Sequence, residues 1–112
     1  MLSQRTSIYI PSHLALRHDV HDAIEAITRE VGGCTIDDKR GVWVSPIHGL
    51  VYEHVSVYSW WHKPNEPAMQ YSVPLLARHL LLAGEEAVLI EFLREQGQTA
   101  VLATLKEGEV TW

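Results

Sequence analysis

Residues 41–61 constrain the fold most, because two β-prone runs there flank a turn. Gly41, Val42, Trp43 and Val44 lead into Ser45-Pro46-Ile47-His48-Gly49, and residues 50–61 follow as LVYEHVSVYSWW. β-branched and aromatic residues at this density fit a pleated strand, while proline and glycine between them fit a tight connection. The segment predicts a β-hairpin with one long arm.

The flanking sequence supplies elements to pack against it. Ser7-Ile8-Tyr9-Ile10 reads as a short strand stopped by Pro11. Asp19 is placed to cap a helix, with Asp22 as an imperfect capping box. Val20, Ile24, Ile27 and Val31 form one helical stripe with Ala23 beside it, and Gly32-Gly33 ends it. Residues 62–67 contain Pro64 and Pro67 and read as a loop within the domain. Pro74 suits the first turn of a helix over 75–83, with Ser72 near its cap.

Residues 85–96 admit two readings. Leu89, Phe92, Leu93 and Gln96 sit at helical spacing and Gly97 suits a stop, so a second helical piece bent near Gly84 is preferred. Val88-Leu89-Ile90 also suits a strand. Residues 99–105 form a further strand, Glu107-Gly108 a turn, and residues 109–112 are placed to pair back. The resulting order, β-α-β-β-α-β, predicts an α+β, ferredoxin-like fold: an antiparallel sheet with two helices on one face. The 112 residues suit a single domain, 1–112, large enough to bury a core without cross-links.

Charge and cysteine content narrow the function. Nine basic against 14 acidic residues give a net charge of −5, and the basic residues are scattered, so no nucleic-acid partner is expected. One cysteine, Cys34, excludes an internal disulfide and fits a reducing compartment. No apolar run approaches the length of a membrane span and no signal core stands at the start, so no membrane partner is expected and the cytoplasm is the expected location. No P-loop, GxGxxG, CxxC, EF-hand or Ser/His/Asp pattern is present, so no cofactor is expected.

Two helices cover only one face of a sheet, and strand alternation assigns the other. Val51, Val55 and Val57 share one side of the long strand and are expected to face the helices. Ile8 and Ile10 point inward, as do Val42 and Val44. The uncovered face then holds Tyr9, Trp43, Tyr52, His54, Tyr58 and Trp60, rings that are apolar with a polar edge. A patch of that size is rarely left bare, which predicts a homodimer packed sheet to sheet, or a ligand or foreign-protein site.

Three sets of residues are candidates for chemistry. Glu53 falls between Val51 and Val55, and a carboxylate in an apolar setting suits an acid or base; the same residue also suits an ion pair with Arg5 or Arg29. His54, beside Tyr52 and Trp60, suits a general base or an interface hydrogen bond. His18, His21 and Asp22 share a helical surface, and with His13 they make a weak metal-ligand set lacking the HExxH pattern; a solvated helix start explains them as well. Cys34 is expected to be structural.

Gly32-Gly33-Cys34-Thr35, Gly41-Val42-Trp43, Gly49, Glu53 and the late Gly97-Gln98-Thr99-Ala100-Val101 together form a pattern of GG-x-T, G-x-W, G, E and GQ-x-A-V. This resembles a group of small bacterial and phage proteins over residues 8–112. The resemblance implies a ferredoxin-like fold and a phage or mobile-element origin, with the Trp43 and Glu53 positions of most interest, and implies no particular activity. The mild acidity, the aromatic face and the lack of a catalytic set predict a non-enzymatic oligomeric binding protein. It would act on a host protein or sequester a small metabolite in host–phage conflict. The alternatives are a small cofactor-independent enzyme using Glu53 or His54 as acid/base in a dimeric barrel, and a metal-binding protein.

Overall fold

The computed structural model describes residues 2–112. The elements run β1 (Gln4–Pro11), α1 (His18–Val31), β2 (Thr35–Ser45), β3 (Gly49–His62), a single π-helical turn (Ala68–Ser72), α2 (Val73–Leu82), β4 (Val88–Arg94), β5 (Gly97–Lys106) and β6 (Glu109–Thr111). The strands form one six-stranded sheet in the order β2-β3-β1-β4-β5-β6. Every adjacent pair is antiparallel. The fold is α+β, with a sheet wider than the four strands expected.

The hairpin forms as its residues dictate. Ser45 pairs with Gly49 across a three-residue turn, and Gly49 takes a positive φ of 74° that a side chain would resist. Helix α1 starts at His18 with Arg17 at its cap position; Asp19 bonds the Val20 N–H from inside the first turn instead of capping the helix. Gly32 ends α1 in the left-handed conformation, its N–H bonded to the Thr28 carbonyl. Pro74 lies in the first turn of α2, where a missing N–H costs nothing.

The expected helix over residues 85–96 is a strand. Val88 and Ile90 are buried, and Ile90 pairs with Ile8 on β1. The alternation of Val88, Ile90 and Phe92 with Leu89 and Glu91 serves a strand pairing on both edges, and this pairing outweighs the weak helical spacing. Gly97 is not a helix stop: it closes a tight turn from Arg94 into β5.

One core cluster joins Ile8, Ile10, Trp60 and Ile90 of the sheet to Val20 and Ile27 of α1 and Leu76 and Leu80 of α2. Trp60 is fully buried, and its indole N–H donates to Thr28 Oγ1 at 3.0 Å. Thr28 in turn donates to the Ile24 carbonyl at 2.8 Å, so one hydroxyl ties β3 to α1. Full burial of a large apolar side chain contributes about 1.5–3 kcal/mol.

The faces of β3 are the reverse of those expected. Trp60 lies opposite Thr6, and Tyr58 opposite Ile8, on the side that meets α1. Tyr52, His54 and Ser56 share that side by alternation, so Val51, Glu53, Val55 and Val57 face the other way. Val55 and Val57 are nevertheless only 7% and 5% exposed. The middle of β3 is covered on both faces, which removes the alternation by which a half-buried strand is recognised.

Candidate functional site: an acidic cluster at the hairpin tip

The hairpin outruns its neighbours. The pairing of β1 with β3 ends at Pro11 and Val55, while β2 and β3 continue together to Ser45 and Gly49. Gly41 lies opposite Glu53, and a side chain there would come within 3.3 Å of Val55 Cγ2. Gly41, Trp43 and Ser45 share with Glu53 the face opposite Trp60.

Ser45 fastens this tip to the loop between α2 and β4. It is buried, accepts the N–H groups of Ile47 at 3.1 Å and His48 at 3.0 Å, and donates to Glu86 Oε1 at 2.7 Å. The other Glu86 oxygen, Oε2, is buried with no partner among the described residues, and so is the indole nitrogen of Trp43. A buried donor and a buried acceptor left unmade are costly in a native structure and mark groups available to a bound molecule.

Glu85, next in the same loop, completes the cluster. Burial pushes its carboxyl above the usual range, and the charge of Glu53 pushes it further. His13, from the segment after β1, opposes the shift, and Glu86 adds to it. Neighbouring carboxylates disfavour each other's charge, an arrangement suited to acid–base work and to cationic ligands.

The sequence-based candidates disperse around this cluster. Glu53 belongs to it, though on the face opposite Trp60; Arg29 pairs instead with Glu25 at 2.7 Å, and Arg5 sits over the Trp61 ring. His54, the next residue, is exposed on the opposite face and does not converge with Glu53. The six rings do not form one patch. Trp43 lies with Glu53, Tyr52 is exposed on the other face, Tyr58 is half-buried beside the core, and Trp60 is inside it. Tyr9 donates to Glu91 Oε1 at 2.6 Å; that bond, with burial, pushes its hydroxyl up to about 12.

His18 and His21 are paired along α1 with Asp22 and Glu25, at 3.2 and 4.0 Å, while His13 sits apart from them near Glu85. Among the described residues no three histidine, cysteine or acidic side chains form a metal-holding group. Burial pushes the Cys34 thiol above its usual range, which disfavours a reactive thiolate. Glu85 and Glu86 were missed because their segment was read as helix. The Glu-Glu pair after Gly84, at a helix-to-strand junction, was the available signal.

Two solved structures match the chain along nearly all its length. One is a phage SAM lyase in complex with S-methyl-5′-thioadenosine: TM-score 0.59, 17% identity, covering 95% of this chain and 94% of that one. The other is a phage SAM lyase in the apo state: TM-score 0.59, 19% identity, covering 94% and 93%.

The chain shares its fold with a phage SAM lyase. No protein-family model and no curated protein matches the sequence. The structural likeness overturns the expectation of a non-enzymatic binding protein, since the two solved structures that the chain matches are of an enzyme. The lack of a familiar catalytic motif had suggested the binder. That lack carries little weight where side chains from separate loops assemble the site. Among the described residues no helix is long and apolar enough to cross a membrane.

Proposed function

We propose that the chain is a lyase acting on S-adenosylmethionine or a closely related sulfonium compound, with its centre at Glu53. The carrying observation is the convergence of Glu53, Glu85, Glu86 and His13 at the hairpin tip, on a fold shared with a phage SAM lyase. S-adenosylmethionine is positively charged at its sulfonium and its ammonium, and an acidic cluster in a partly buried setting attracts such a ligand. The unpartnered Trp43 indole N–H is available as a donor to the same molecule.

Release of S-methyl-5′-thioadenosine breaks the bond between sulfur and the amino-acid chain. The bonding pair stays on sulfur, which becomes a neutral thioether. The amino-acid fragment either closes through its own carboxylate or gives up a proton beside the breaking bond. The second route needs a base, and Glu53 fills that role; in the first, its charge orients the cationic substrate. The identity of the second product, lactone or unsaturated amino acid, separates the two routes.

Several finer features belong to this reading. The β2-β3-β1-β4 part of the sheet serves as a ferredoxin-like core, with both helices on one face and with β5 and β6 added at its edge. A phage origin, action in the host cytoplasm and a part in host–phage conflict follow, because such a lyase drains the methyl donor of host methyltransferases. A homodimer is supported by the exposed row Val42, Val44, Leu50 and Tyr52 on the helix-side face of the hairpin.

The test is to incubate purified protein with S-adenosylmethionine and identify the products by mass spectrometry. S-methyl-5′-thioadenosine formed by wild type and lost in Glu53→Gln is the expected result. Unchanged substrate with wild type overturns the proposal.

A further inference from the structure

The end of the sheet away from the hairpin tip holds a cavity of about 580 Å³ whose chemistry differs from that of the tip. It lies where β1 begins, β3 and β4 end and β5 begins, and the loop after β3 with the π-helical turn closes one side. Glu66 lines it. This side chain is only 9% exposed and has no hydrogen-bond or ion-pair partner among the described residues. Its carboxylate oxygens are not among the buried unpartnered atoms, so the carboxylate opens onto the cavity and can meet a bound group.

The rest of the lining says what that is. Arg94 reaches the cavity, joins no ion pair among the described residues and rests on the Phe92 ring, 4.8 Å from its centre, whereas Arg5, opposite Trp61 and Leu93, turns to the other face of the sheet and rests on the Trp61 ring, 5.6 Å from its centre. Met69 and Phe92 give the cavity an apolar part. His62 is not available to a ligand. Its Nδ1 meets the Lys63 carbonyl at 2.9 Å and so carries the proton, and its Nε2 meets Thr6 Oγ1 at 2.8 Å. This buried chain fixes the wall behind Glu66. π-Helical turns of the kind that follows Glu66 are uncommon and recur at functional sites.

We infer that this cavity binds a zwitterionic ligand of the α-amino-acid class, its ammonium on Glu66, its carboxylate on Arg94, and an apolar side chain against Met69 and Phe92. One acid, one unpaired guanidinium group and an apolar wall match the three parts of such a molecule. The inference does not rest on the lyase reading, because it concerns other residues and is tested by binding, not turnover.

The experiment is calorimetric titration of the full chain with the standard amino acids, using L-leucine, isoamylamine and 4-methylpentanoate as the matched set. At least one apolar amino acid binds at one site per chain. Its amine-only and acid-only analogues bind about tenfold more weakly or worse, since each loses a charge-assisted contact. Glu66→Gln, nearly isosteric, weakens the amino acid by a similar factor while circular dichroism shows an unchanged fold. Amide shifts at Gly97 and Gln98 on titration place the ligand independently of any variant. No binding by any amino acid at millimolar concentration overturns the inference, and so does binding that Glu66→Gln leaves untouched.

Discussion

Within β3, residues 55–62 pair with β1 and the run 55–57 is buried, whereas residues 49–54 run past the end of β1 and pair with β2 alone. The first half carries Trp60, Val55 and Val57 and joins the core. The second carries Glu53, placed toward Ser45, Trp43 and the Glu85-Glu86 loop. One strand therefore anchors the fold with one half and, in the proposed function, presents chemistry with the other. Packing fixes the anchored half. The projecting half is held by a few polar contacts, and it keeps buried polar atoms unpaired that a merely structural element would satisfy.

The contrast predicts that substitutions in the two halves fail differently. Trp60→Ala removes the largest fully buried side chain and is expected to destabilise the protein by about 3–5 kcal/mol, read by chemical denaturation. Trp60→Phe keeps most of the volume but leaves Thr28 Oγ1 without its donor, for about 1 kcal/mol. Glu53→Gln is expected to leave the denaturation midpoint nearly unchanged while lowering lyase turnover by about 100-fold or more. If Glu53→Gln unfolds the protein instead, the division between the two halves is wrong.

Ser45→Ala tests the fastening of the tip. It leaves Glu86 Oε1 as unpartnered as Oε2 and frees two turn N–H groups, for about 1–3 kcal/mol. Its effect should concentrate in the tip, seen as faster amide exchange at residues 46–53 with the Trp60 region still protected.

The smallest expected effect concerns Glu85. Its folded pKa lies above the unfolded value, so between the two the folded state holds more protons, and stability falls as pH rises through that window. Glu85→Gln removes this loss. Its Tm should exceed that of wild type above the ordinary glutamate range and converge with it well below. A variant Tm at or below that of wild type at neutral pH would show that the Glu85 charge is compensated in the fold.

Much of the architecture is legible in the residues. The hairpin, its glycine-closed turn, the stripe of α1 ended by Gly32 and the proline start of α2 all rest on local chemistry, and the structure reproduces them. The strand β4 was lost because Leu89, Phe92, Leu93 and Gln96 mimic helical spacing; its pairing with β1 is a long-range fact that no local pattern carries. The faces of β3 were inverted for a related reason: valines on one side and Trp60 on the other are both buried, so alternation could not choose. Glu53 was singled out because a carboxylate among valines is conspicuous. Its partners were not, since Glu85 and Glu86 reach it only when the hairpin tip meets a loop distant in sequence.

The central claim is that the acidic tip performs lyase chemistry on a sulfonium substrate. The most direct measurement is the initial rate of S-methyl-5′-thioadenosine formation from S-adenosylmethionine, with wild type and Glu53→Gln side by side at equal folded concentration. The account predicts steady formation by wild type and a rate lower by about 100-fold or more in the variant. Equal rates in the two proteins, or no product from wild type, would contradict it.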